Sequence, residues 1–166
     1  MSLALLLLAA CGLRPLYGGG ASSVAARALT EISVAPIPDR AGYLVRQAVQ
    51  DRLGTAAASA RYRLIIELDD AIEGFGIRGD DSITRERRTL RARYRLVSAD
   101  GGRTYLDATA RSDAGIDVTP SSDYAVVSAE ASALERLSGE LAQQIVARVA
   151  LLVKSSPDFA DPAPAP

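Results

Sequence analysis

The sequence contains no histidine and no tryptophan, and only one cysteine, Cys11, one methionine and one lysine, Lys154. Each shortage removes a class of chemistry. Without His, neither a Ser-His-Asp nor a Cys-His triad can be assembled, and the commonest metal ligand is missing. A hydrolase built on Ser with Lys would have to draw on Lys154, close to the chain end. The formal net charge is -1, so no overall field draws the chain to nucleic acid. The apolar block Leu3 to Ala10 falls far short of the roughly 20 residues that a membrane-spanning helix requires. What is present is 166 residues, 48% hydrophobic and 23% charged, which suits one domain with a real core.

That apolar block does suit the h-region of a secretory signal, ending in Ala9 and Ala10 before Cys11. Leu8-Ala9-Ala10-Cys11 has the form of a lipobox, where a peptidase cuts before a Cys whose thiol carries diacylglycerol. Small residues let that peptidase hold the chain extended beside the cut bond. Acylation accounts for a lone Cys that has no disulfide partner; the alternative is a buried first element with a core Cys. No Lys or Arg precedes Leu3, so the charged start of such a signal is expected upstream of Met1. One acyl chain holds a protein marginally and two or more hold it firmly, at about 0.8 kcal/mol per buried methylene. Cys11 is expected to carry diacylglycerol and an N-acyl chain, with no other cofactor. Gly12, rather than Asp, follows it, which favours the outer membrane at its periplasmic face.

Residues 1–10 are thus expected as a signal peptide and 11–28 as a lipidated anchor and tether, made flexible by Gly18 to Ser23. A folded domain is expected over 29–154, then a disordered Pro/Ala tail over 155–166. Thr30 to Pro36 reads as a short strand with Ile32 and Val34 on one face, closed by Pro36 and Pro38. Asp39 is placed to cap a helix from about Ala41 to Leu53, with Leu44, Ala48, Val49 and Leu53 as its stripe. Arg61 to Asp69 and Thr84 to Val97 alternate cleanly, turning Leu64, Ile66, Leu90, Ala92, Tyr94 and Leu96 to one side. Asp100-Gly101-Gly102 signals a hairpin into a further strand from Arg103 to about Arg111. A long helix, roughly Asp123 to Lys154, carries the stripe Leu134, Leu137, Leu141, Ile145, Val149 and Leu152, with a bend or break expected near Gly139. The order β-α-β-β-β-α predicts an α+β two-layer sandwich, two helices packed on one face of a four-stranded, mostly antiparallel sheet.

Three charge and glycine patterns invite chemistry. Gly74-Phe75-Gly76-Ile77-Arg78-Gly79 matches G-x-G-x-x-G, but a strand rather than a helix follows, and Asp80 and Asp81 would repel phosphate. A flexible connection between strands is expected there. Asp69, Asp70, Glu73, Asp80 and Asp81 cluster along it, without the spacing of a metal loop, and read as solvated charge. Arg61 and Arg63 on one strand, with Arg87, Arg91, Arg93 and Arg95 on the next, can form a basic sheet face. Guanidinium groups contact phosphates through two N–H donors at once. Asp107, Arg111 and Asp113 bring mixed charge beside it, and a solvated face that keeps strands from mispairing is the alternative.

In order along the chain, Cys11-Gly12-Leu13-Arg14-Pro15-Leu16-Tyr17-Gly18, Ile32-Ser33-Val34, Asp39-Arg40-Ala41-Gly42, Tyr62-Arg63-Leu64, Thr84-Arg85, Tyr94-Arg95-Leu96 and Tyr124-Ala125 resemble the LPS-assembly lipoprotein family LptE, in its alphaproteobacterial form. That family usually has an aromatic residue where this chain has Leu13. The resemblance covers nearly the whole chain except the tail. It implies a non-enzymatic lipoprotein that plugs and helps assemble the outer-membrane β-barrel LptD and binds lipopolysaccharide on its way to the cell surface. The rival expectation is a periplasmic lipoprotein adaptor of another envelope complex, such as the auxiliary component of a lipid-transporting ABC system.

Overall fold

The computed structural model describes residues 24–77, 83–117 and 122–159; Cys11, the Gly/Ser stretch, Asp80 and Asp81 lie outside the described residues. In chain order the elements are α1 (Val24–Thr30), β1 (Ile32–Val34), α2 (Asp39–Leu53), β2 (Tyr62–Ile77), β3 (Ile83–Ser98), β4 (Thr104–Asp117), α3 (Asp123–Ser155) and a closing 3-10 turn, Pro157–Phe159. The sheet has the order β1-β2-β3-β4. β1 runs parallel to β2, a pairing that requires the crossover through α2, and the other two pairings are antiparallel. The α+β sandwich read from the sequence is the architecture observed.

Alternation decides what each strand buries. Leu64, Ile66, Leu90, Ala92, Tyr94, Leu96, Ala110, Ala114 and Ile116 face inward and are buried. α3 lies over β3 and β4, α2 packs on α3 and on β1, and their apolar stripes close the core. Leu137, Leu141, Ile145 and Val149 of α3 are fully buried, at a spacing of four that keeps them on one helix face. At 1.5 Å per residue the 33 residues of α3 reach about 50 Å. The helix is continuous through Gly139, so the break weighed there does not occur.

Four other expectations are corrected. Pro38, not Asp39, holds the N-cap of α2, and no side chain caps that helix. Asp39 is instead its first residue, at φ 66, a left-handed conformation that Asp tolerates better than most. In α2, Val45 is wholly buried while Leu44 and Ala48 are half-buried, so the deepest line is Ala41, Val45, Val49 and Leu53. Gly74, Phe75 and Ile77 belong to β2, paired with Glu86, Arg85 and Ile83, rather than to a connection. Glycine contributes no side chain to an alternating pattern, so the continuation leaves no periodic trace. β4 likewise runs to Asp117, well past Arg111.

Two small elements were not read from the sequence. α1 buries Ala28 and Leu29 against the core, so its Val24–Thr30 span straddles the boundary drawn at residue 28. At the other end, beyond the boundary drawn at 155, Phe159 is buried. Its ring lies 4.8 Å from that of Tyr62 and 5.3 Å from that of Tyr105. Arg103 fastens the same turn with two hydrogen bonds to Asp158, of 2.9 and 3.3 Å.

Candidate functional site

Among the described residues no helix covers the outer face of the sheet, and the alternation that buries Leu and Ala inward sets charged residues there. Among the described residues, seven arginines (Arg63 on β2; Arg85, Arg87, Arg91, Arg93 and Arg95 on β3; Arg111 on β4) share this face with six carboxylates (Glu67, Asp69 and Glu73 on β2; Asp107, Asp113 and Asp117 on β4). The central strand is therefore basic and its flanking strands are acidic. Register makes them meet: Glu67 lies opposite Arg93, Asp69 opposite Arg91, Glu73 opposite Arg87 and Asp107 opposite Arg95.

The ion pairs follow those rows or their diagonals. Arg93 donates to both oxygens of Asp107, from Nε at 3.1 Å and from Nη2 at 2.7 Å. These hydrogen bonds, with the positive charge behind them, hold the Asp107 carboxyl below its usual pKa. Arg95 donates to Glu67 at 3.0 Å and Arg85 to Asp117 at 3.2 Å. Arg61, just before β2, lies 3.6 Å from Glu31. Of the six arginines singled out in the sequence, Arg63, Arg87 and Arg91 make no ion pair among the described residues. Arg87 lies over the Phe75 ring, 5.3 Å from its centroid. The face is thus nearly charge-balanced, with a few unengaged guanidinium forks, rather than uniformly basic. Such exposed pairs contribute little to stability.

Sequence reading passed over Arg88. It is on β3 but points inward, and its side chain is only 12% exposed. Its Nε and Nη2 donate to the two oxygens of Asp70, at 2.9 and 2.6 Å, and Nη1 donates to the Glu130 carbonyl of α3 at 3.1 Å. The Asp70 bonds raise the Arg88 pKa, with burial opposing them. The run Arg85-Glu86-Arg87-Arg88 hides the alternation, since every residue in it is charged. This pair lies in a cleft of about 500 Å³ between the first turn of α2, the edge of β2 and α3, with Leu68, Val127 and Leu134 among its lining. Gly42 of α2 permits the tight turn at its rim, because a Cβ there would lie 2.6 Å from Ile37 Cγ2.

Among the described residues no group of His, Cys, Asp and Glu is arranged to hold a metal ion. No described helix is long and apolar enough to cross a membrane.

Residues 29–149, 121 of the 166 in the chain, match the family described as LptE: Lipopolysaccharide-assembly. Comparison with curated proteins gives no match. Among solved structures, the chain is similar to a predicted lipoprotein from Caulobacter crescentus CB15, with 21% identity and a TM-score of 0.65 over 80% of this chain and 97% of that one. It is also similar to the rare lipoprotein B from Shewanella oneidensis, at 10% identity and TM-score 0.57, covering 72% of this chain and 93% of that one. A minor lipoprotein from Acinetobacter baumannii gives 13% identity and TM-score 0.58, over 72% and 90%. At these identities the three structures speak for a shared fold.

Proposed function

We propose a function that starts from family membership: this chain belongs to the lipopolysaccharide-assembly family LptE. It is a non-catalytic outer-membrane lipoprotein, acylated on Cys11 and held at the periplasmic face. It occupies and helps assemble an LptD-like β-barrel and contacts lipopolysaccharide during delivery to the cell surface. It needs no cofactor beyond the covalent lipid.

The observation that carries this reading is the uncovered sheet face. Mixed charge with both signs interleaved suits the water-lined interior of a wide barrel and does not suit lipid. The exposed flank of α3, with Glu135, Arg136, Gln143 and Arg148, has the same character. Arg63, Arg87 and Arg91 have forks available to the phosphates and carboxylates of lipopolysaccharide, and Arg61, Arg93 and Arg95 reach them by exchanging a carboxylate partner.

Isolation of the tagged full chain from outer membranes tests the reading. A large β-barrel protein should co-purify, and the yield should fall with Cys11→Ser. Recovery of an inner-membrane ATPase complex instead would make the chain an adaptor of another envelope system.

A further inference from the structure

β1 covers only the start of β2. Pairing ends at Val34 with Leu64, Ala35 adds one hydrogen bond to the Leu64 carbonyl at 2.9 Å, and Pro36 and Pro38 then lead the chain into α2. β2 continues to Ile77. The Tyr62 N–H and the Leu64 carbonyl face β1, so by strand alternation the N–H and C=O groups of Leu68, Asp70, Ile72 and Gly74 face the vacated side. Among the described residues no strand pairs with them there.

The two flanks of this open edge differ in chemistry. On its inner side is the cleft lined by Leu68, Val127 and Leu134 and walled by the Arg88–Asp70 pair. Val127 in that lining is 63% exposed, and Ile72, further along β2, is 43% exposed. On its outer side stand Glu67, Asp69 and Glu73, and of these Asp69 and Glu73 make no ion pair among the described residues.

We propose that the edge of β2 beyond Leu64 receives an extended segment of a partner protein as an added strand, in line with β1, with apolar and basic residues alternating along it. Backbone groups of Leu68, Asp70, Ile72 and Gly74 supply the ladder, the standard source of affinity in strand addition, while side-chain sites on each flank select the sequence. Alternate side chains of the incoming strand enter the cleft; the others lie beside Glu67, Asp69 and Glu73. A second copy of this chain is the poorer occupant, because edge-to-edge pairing sets these carboxylates against their own kind.

The test uses the full chain and three short synthetic peptides: one alternating Val and Arg, the same peptide N-methylated at alternate residues, and one alternating Val and Glu. Binding is read by fluorescence anisotropy, and amide hydrogen exchange reports the place. The Val/Arg peptide should slow exchange at Leu68, Asp70, Ile72 and Gly74, and N-methylation should weaken it on the order of tenfold or more by removing ladder bonds. Asp69→Lys with Glu73→Lys should weaken the Val/Arg peptide about fivefold and move preference toward the Val/Glu peptide. No binding, undiminished binding after N-methylation, or protection confined to other strands overturns the proposal. So does a charge reversal that leaves the preference unchanged.

Discussion

On the inner face of the sheet, Leu64, Leu90 and Leu96 are wholly buried under the helices, while their immediate chain neighbours Arg63, Arg91 and Arg95 meet solvent. The two faces are made of the same strands and differ by a single step in alternation. The inner one gains from apolar burial and close packing. The outer one is a field of exposed ion pairs whose net contribution to folding is small. The inner face therefore fixes the architecture, and the outer face is available for partners without loss of the fold.

The largest effect should come from breaking the inner face. Leu141 is fully buried between α3 and the sheet, so Leu141→Ala should cost about 3 kcal/mol in urea unfolding, as a truncation in a packed core does. Gly42→Ala comes next. The added methyl would meet Ile37, whose backbone and side chain both lie within 2.9 Å of it, and a loss of roughly 1–3 kcal/mol is expected by thermal denaturation.

The outer face should behave oppositely. Arg91→Ser, Arg93→Ser and Arg95→Ser together should change stability by no more than about 1 kcal/mol, since only exposed pairs are lost. Their effect should appear in lipopolysaccharide binding, which should weaken and become less sensitive to salt. Unaltered binding would leave this face a scaffold surface. The finest distinction concerns Asp107. Its carboxyl pKa is depressed by the Arg93 fork, so its stabilising contribution is present above the unfolded-state value and is lost as pH falls through the lower folded value. Arg93→Gln should move the Asp107 midpoint upward in an NMR titration; an unmoved midpoint would mean the pair does not form in solution.

Legibility in the sequence follows the same division. Residues that bury a side chain at a regular period announced themselves: Leu64 to Leu68, Leu90 to Leu96, and the stripe Leu134 to Val149 of α3. The Asp100-Gly101-Gly102 turn was equally clear, with Gly101 at φ 79. Where side chains carry no period, reading stopped short. Gly74 and Phe75 extend β2 through a stretch that resembles a loop, and Val24–Thr30 has no acidic residue in its first turn to signal a helix. Phe159 stands in a Pro-rich tail, and its partners Tyr62 and Tyr105 are remote in sequence. On the outer face the arginines were found but their neutralisation was only partly foreseen. Which carboxylate meets which guanidinium depends on strand register, and β2 and β3 are joined by a segment whose length the sequence did not fix.

The account is tested most directly by photo-cross-linking in living cells, with a photoreactive residue at position 91 on the outer face and, as the comparison, at position 143 on the exposed side of α3. Position 91 should yield an adduct with lipopolysaccharide that position 143 gives weakly or not at all. If both positions label lipopolysaccharide alike, or only position 143 does, the open face of the sheet is not a lipopolysaccharide-contact surface.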